Sequence, residues 1–188
     1  MQRTIDTYLS SAEYLQWEEG QELKHEYEDG VIYAMAGASE NHISITTNLT
    51  VILANHLRGG HCRLFPSDMR LHIPDLNIYY YPDLLVTCDE RDRLNRNHKN
   101  YPCLIIEVLS ESTEARDRGV KFAHDQTIES LQEYVLVSQS EPRVEIFRRR
   151  DGKLWLLQTY TAEETMQLQS LNLEIPITEI YAGVDFSN

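Results

Sequence analysis

Glu107 is the residue whose setting most demands chemistry. It interrupts Leu104-Ile105-Ile106-Glu107-Val108-Leu109, a run apolar on both faces of an extended chain, so a strand here buries the carboxylate. An ionised carboxylate in that setting needs a proton, a cationic side chain or a metal ion to offset its lost hydration. Asp83 poses the same question 24 positions earlier, where Pro82 holds the chain extended and Asp83 opens the strand Asp83-Leu84-Leu85-Val86-Thr87. If the two strands pair, their carboxylates face each other, and hard oxygen donors so placed suit Mg²⁺ or Mn²⁺. Each acid also has a purely structural reading, Asp83 as a turn cap or ion pair and Glu107 as the buried partner of an Arg or Lys.

Several elements must position these acids. Ser10 to Glu13 reads as a capping box opening a helix that Gly20 stops. Residues 23–28 and 31–36 form a hairpin about Asp29-Gly30. Ser39 caps a long helix whose repeating positions Ile43, Thr47, Thr50, Val51, Ala54 and Leu57 predict its packed face, closed by Gly59-Gly60. Strands follow over 62–65, 69–73, 83–88 and 104–109, then a helix over 114–125 and a strand over 133–137 that is apolar on both sides and therefore central. A hairpin over 144–148 and 154–160 and a short helix from Pro176 complete an α/β (α+β) pattern. The absence of a repeat, a low-complexity tract or a Pro/Gly/Ser-rich linker predicts one domain over 1–188.

Charge constrains the partner. The net formal charge is −13, which opposes strong nonspecific affinity for nucleic acid. The basic residues concentrate in the middle, however: residues 61–150 hold 13 Lys/Arg against 15 Asp/Glu, leaving room for one local cationic groove and weak or selective binding. Arg116 and Arg118 are candidate phosphate contacts, as are Arg148, Arg149, Arg150, His98 and Lys99, although solvated polar surface is the usual reading of the latter group. His42, in the first turn after Ser39, suits either a phosphate contact or support of a carboxylate. Cys62, Cys88 and Cys103 are odd in number and sit in strand-like stretches without C-x-x-C spacing, which predicts buried free thiols, with a zinc site as the alternative. With no apolar run near the ~18 residues of a membrane span and no basic-then-apolar opening, a cytoplasmic protein is expected.

Tyr81-Pro82-Asp83 followed by the Glu107 strand resembles the active-site signature of the PD-(D/E)XK nuclease superfamily. That pattern places Lys two residues after the Glu, where this chain has Leu109; in some members the lysine has migrated to the following helix, and Lys121 takes that place. The segment Ser110 to Phe122, together with Glu26 to Gly30, Ala36-Gly37-Ala38-Ser39 before His42, Ser67-Asp68-Met69-Arg70 and Leu131 to Val137, resembles a large restriction-endonuclease-like family expanded in cyanobacteria, over roughly residues 10–185. The resemblance implies a central mixed β-sheet flanked by helices, with an N-terminal helix and hairpin. It also implies Mg²⁺-dependent hydrolysis of DNA by Asp83, Glu107 and Lys121, with Val108 lending a carbonyl to the metal, Glu26 as an additional acid and a homodimer by analogy. A noncatalytic binding or regulatory module on the same fold is the alternative, and the chain departs from the family at Asp125, Gln126 and Glu129, where Tyr, Arg and Pro are usual. For Lys121 a plain ion pair with Asp117, and for Glu26 a solvated strand face, are the structural readings.

Overall fold

The computed structural model describes residues 8–187; residues 1–7, part of the opening read above for a signal peptide, and residue 188 lie outside them. Helix α1 (Ser11–Glu18) opens with the expected reciprocal cap, the Ser10 hydroxyl accepting the Glu13 N–H and the Glu13 carboxylate accepting the Ser10 N–H. Strands β1 (His25–Glu28) and β2 (Val31–Ala34) are joined through Asp29 and Gly30, both at positive φ (39° and 96°), as a two-residue hairpin turn requires. Helix α2 (Glu40–Leu57) is capped by Ser39. It buries Ile45, Leu49 and Leu53, while Ile43 and Val51 stay more than half exposed. The packed stripe therefore differs from the one the spacing suggested: two stripes coexist on this helix, and the sheet takes the one built of aliphatics at i, i+4 and i+8 rather than the one diluted by threonines.

The chain continues through β3 (Arg63–Pro66), β4 (Arg70–Ile73), β5 (Ile78–Tyr80), β6 (Leu84–Thr87), β7 (His98–Lys99) and β8 (Leu104–Leu109). Helical segments α3 (Glu114–Arg116) and α4 (Phe122–Asp125) flank a π-helical turn over Asp117–Lys121, replacing the single regular helix expected there. After these come β9 (Glu133–Ser138), β10 (Arg143–Arg149), β11 (Trp155–Thr161), β12 (Thr165–Leu168), β13 (Leu173–Pro176) and α5 (Ile177–Ile180). The short strands β5, β7, β12 and β13 were not read from the sequence, being two to four residues long, too short for a periodic pattern to stand out.

A six-stranded mixed sheet in the order β11-β10-β9-β8-β6-β3 forms the centre, β8 and β9 parallel and the other neighbours antiparallel. A second sheet runs β2-β1-β5-β4-β7, and β12 pairs with β13. The pleat of β8 divides the core. Leu104, Ile106 and Val108 pack with Ile45, Leu49, Leu53 and the α5 isoleucines, whereas Ile105 and Leu109 pack with Phe122, Tyr134 and residues of β4 and β5. Glu107, in phase with Ile105 and Leu109, thus faces the π-helical turn and the second sheet. No helix among the described residues is long and apolar enough to cross a membrane.

Three sequence expectations are corrected here. Cys62 and Cys88 are joined by a disulfide rather than free; only Cys103 is a buried free thiol, and burial pushes it up to about 11. Arg148 and Arg149 are not phosphate contacts on a solvated turn. Arg148 is 2% exposed, with Nε 2.9 Å from Glu133 and further donors on Tyr160 and the Gln167 carbonyl, and Arg149 caps the carbonyls of Gln126, Ile128 and Leu131. Lys99 is likewise buried against the carbonyls of Asp92 and Asn95, and His98 meets the Asn95 amide. For the two arginines and the lysine, buried acceptors recruit the cation.

Arg148→Ala should cost about 3–5 kcal/mol in urea unfolding, because it strands Glu133 as a buried charge with its guanidinium removed. A loss under about 1 kcal/mol would mean that the Gln169 and Ser170 donors, or water, stabilise Glu133 without the guanidinium.

Candidate active site

Strands β6 and β8 pair antiparallel with Leu84 opposite Ile106, which brings Asp83 and Glu107 to facing ends of one register. The two acids grip each other's backbone: the Asp83 N–H donates to Glu107 Oε2 at 3.1 Å, and the Val108 N–H donates to Asp83 Oδ2 at 2.8 Å. The condition set by the sequence is met, since the strands do pair. His42 reaches over from α2, its Nε2 3.1 Å from Asp83 Oδ2. Burial pulls the His42 pKa down, but the hydrogen bond and charge of Asp83, the charge of Asp117 and the Val108 backbone outweigh it, and the net shift is upward.

Lys121 completes the cluster. Its Nζ lies 2.7 Å from Glu107 Oε1, 3.0 Å from Glu26 Oε1 and 3.8 Å from Asp117 Oδ1, with the side chain almost fully buried. The ion pair with Asp117 exists, but it is the longest of the three, so the pairing is a buried network and not a surface i,i+4 contact. The π-helical turn matters here: the extra residue it inserts rotates the helix face, so that Asp117 and Lys121 both look toward β8. Glu26 is fully buried on β1, not on a solvated face, and also accepts the Tyr81 N–H at 3.2 Å. A hydroxyl network extends the cluster, with Tyr80 donating to Glu28 at 2.5 Å and meeting His124 Nδ1 at 2.7 Å.

Negative groups outnumber positive ones around Lys121, and the titration shifts express this. Burial drives Glu107 well above its ordinary value despite the opposing charge of Lys121, and Asp117 rises for the same reason. Burial would depress Lys121, but Glu107, Glu26 and Asp117 together hold it well above normal, so it stays protonated. Asp125, fully buried with neither carboxylate oxygen hydrogen-bonded, is also pushed well upward by burial. This chain thus holds, beside the cluster, an acid that burial drives toward its neutral form.

Asp83, Glu107, Val108, Lys121, His42, Glu26 and Arg116 all line one groove of about 350 Å³, and Asp117, which the sequence offered only as a partner for Lys121, lines it too. Arg116 pairs with Glu28 and lies 3.6 Å from Glu26 while its guanidinium covers the Tyr33 ring. Arg118 is not among the lining residues; it is held by Glu114 at 2.7 Å and Glu145 at 2.5 Å. Asp117 and Glu28 carried no distinguishing signal, because acids are frequent throughout both segments.

The family profile described as "Putative restriction endonuclease", Uma2, matches residues 11–178. The chain belongs to the Uma2 family. It is 45% identical over 178 residues to "Uncharacterized protein slr1290" of Synechocystis sp. (strain ATCC 27184 / PCC 6803 / Kazusa), covering 95% of this chain and 94% of that protein. It is 40% identical over 151 residues to "Uncharacterized protein sll1609" of the same organism, covering 79% and 85% respectively. Its fold matches the crystal structure of "a putative nuclease belonging to DUF820" from Anabaena variabilis ATCC 29413, with a TM-score of 0.75 and 17% identity over 93% of this chain and 98% of that one. This Uma2 chain thus has the restriction-endonuclease-like α+β fold that its motifs resembled.

The raised Glu107 pKa has a consequence for stability. At low pH the group is protonated folded and unfolded alike; as pH rises through the ordinary value of 4.5 the unfolded chain ionises first, and stability falls until the folded carboxyl also ionises. In EDTA, Glu107→Gln should therefore resist urea better than wild type at pH 7, with the gap closing toward pH 4. A gap that ignored pH would rule out the ionised carboxylate as its source.

Proposed function

We propose that this protein is a Mg²⁺-dependent endonuclease that hydrolyses DNA phosphodiester bonds in the groove lined by Asp83, Glu107 and Lys121. The observation that carries this reading is the convergence, at an open groove, of two acids from facing strand positions with a buried lysine 2.7 Å from one of them. The family description and the nuclease-like solved neighbour point the same way.

The donor set fits a hard divalent cation. Asp83 and Glu107, with the Val108 carbonyl, would hold Mg²⁺ or Mn²⁺ through oxygen alone. Beyond their ion pairs with Lys121 and Arg116, Glu107 Oε1 and Glu26 Oε2 are buried without a hydrogen-bond partner, and the cluster carries more carboxylates than its cations can balance. Bound there, the ion supplies Lewis-acid polarisation of the phosphate and a bound water of lowered pKa. The chain's own groups do the rest. The Lys121 ammonium, kept charged by three acids, orients the attacking water and stabilises negative charge on the phosphate oxygens in the pentavalent transition state. Glu26 holds Lys121 in place, and His42 fixes the rotamer of Asp83. Arg116 lies in the groove, but Glu28 already engages its charge, which agrees with weak or selective affinity for DNA.

The proposal extends to a homodimer acting on both strands in the cytoplasm. Strand β11 supports the dimer, since it is an edge of the six-stranded sheet and exposes Leu156 and Leu157. A noncatalytic binding or regulatory module is the second reading, favoured by the net charge of −13 and by the engagement of both Arg116 and Arg118 by acids.

Nicking of supercoiled plasmid separates the two readings. Wild type with Mg²⁺ or Mn²⁺ should nick, EDTA should abolish nicking, and Glu107→Gln and Lys121→Ala should each lose on the order of 10²- to 10³-fold. Nicking that persists in both variants would remove this site from the reaction, and no nicking by wild type on supercoiled, linear or single-stranded DNA would favour the noncatalytic module.

A further inference from the structure

All three cysteines of the chain meet at one place, remote from the acidic groove. Cys62 immediately precedes β3 and Cys88 immediately follows β6; the β3–β6 register, Arg63 opposite Thr87, carries on to set them face to face, with Cα atoms 4.0 Å apart and the sulfurs bonded. Cys103, just before β8, brings a free sulfur to 3.6 Å from Cys88 Sγ. His61 brings Nε2 to 3.6 Å from Cys62 Sγ, and the ligand atoms of His61, Cys62 and Cys88 all lie within 4.8 Å of one another. A purely structural disulfide accounts for two of these four groups. It leaves out the His61 imidazole against Cys62 and the third sulfur, Cys103, against Cys88.

We propose that, once reduced, this cluster is a binding site for a thiophilic divalent cation, Zn²⁺ being the fitting ion, with Cys62, Cys88, Cys103 and His61 as ligands. The chemistry selects such an ion, because three thiolates and an imidazole are soft to borderline donors, unlike the oxygens of the acidic groove. The spacing agrees as well. With Zn–S near 2.3 Å and Zn–N near 2.0–2.1 Å, a tetrahedral ion holds its ligand atoms about 3.5–3.8 Å apart. The His61–Cys62 and Cys88–Cys103 separations, both 3.6 Å, are already edges of such a tetrahedron. Two things must change: the Cys62–Cys88 edge must open, and Cys103, which lies outside the 4.8 Å grouping of His61, Cys62 and Cys88, must move toward them. A dithiol reductant supplies two electrons and two protons: the Sγ–Sγ bond breaks, Cys62 and Cys88 become thiols, and the dithiol becomes a disulfide. Metal binding then replaces the protons of the three thiols, which pass to solvent. Cys103 swings inward from its place on Cys88 to close the set.

The two metal sites would lie at opposite ends of the same strand pair. Asp83 precedes β6 and Cys88 follows it, five residues or roughly 16 Å away along an extended chain. Oxidised, the cluster joins β3 to β6 by a covalent bond; reduced and metal-bound, it joins β3, β6 and β8.

The test is a Co²⁺ titration of the full chain, reduced with a dithiol and freed of it under nitrogen, followed by absorption. Sulfur-to-Co²⁺ charge transfer reports thiolate ligation and is blind to ion bound by carboxylates. One equivalent of thiolate-bound Co²⁺ per chain, displaced by Zn²⁺ and absent from oxidised protein, is the expected result. Cys62→Ser should abolish the band. His61→Ala, at an exposed position that leaves the core intact, and Cys103→Ser should each weaken binding on the order of 10- to 100-fold. No charge-transfer band from reduced protein with native circular dichroism would overturn the proposal, as would a band that survives Cys62→Ser or is unchanged by both His61→Ala and Cys103→Ser.

Discussion

The burial of the Glu107 carboxylate inside an otherwise apolar strand governs much of this molecule. A charge placed there must be answered from neighbouring elements. The Asp83 N–H answers from the paired strand, while the Val108 N–H holds the Asp83 carboxylate, and Lys121 answers with an ammonium delivered by the helical segment after β8. Burying Lys121 in turn needs further acids, which β1 supplies through Glu26 and the π-helical turn through Asp117. One strand carboxylate thus recruits the second sheet, the crossover between β8 and β9 and α2 into a single polar cluster within a hydrophobic frame.

That frame is what allows the cluster to persist. Aliphatic residues on alternate positions of β6, β8 and β9 seal both faces of the central sheet, so the polar groups open only toward the groove. The surplus of carboxylates disfavours the folded state at neutral pH unless a cation or a proton joins them. On the proposed function, local stability is given up here for a preorganised field. Asp125 adds to it, a buried acid whose carboxylate oxygens have no hydrogen-bond partner.

The basic residues show the opposite economy. Arg116 and Arg118 are bound by acids, while Arg148, Arg149 and Lys99 satisfy buried carboxylates and carbonyls. These five cations are thereby withdrawn from any polyanion, and the net charge of −13 opposes its approach as well. Recognition of DNA by such a surface would rest on metal-bridged contacts at the groove more than on long-range attraction.

Much of this was written in the order of residues. The capped helices, the Asp-Gly hairpin, the buried strands and the isolated acid in one of them follow from local periodicity and from the cost of burying charge, and those are properties of short segments. The sequence likewise offered Asp83, Glu107 and Lys121 as one group, through a motif whose spacing survives even with the lysine displaced. Tertiary structure alone decided which acids share the lysine, since Glu26 and Asp117 look like any other acids in acidic stretches until β1 and the π-helical turn bring them to β8. It decided equally that Arg148 is a core cation, that α2 turns its Ile45–Leu49–Leu53 stripe inward, and that Cys62, Cys88 and Cys103 meet. Each of these depends on a partner remote in sequence, and a contact between remote segments leaves no trace in the periodicity of either one.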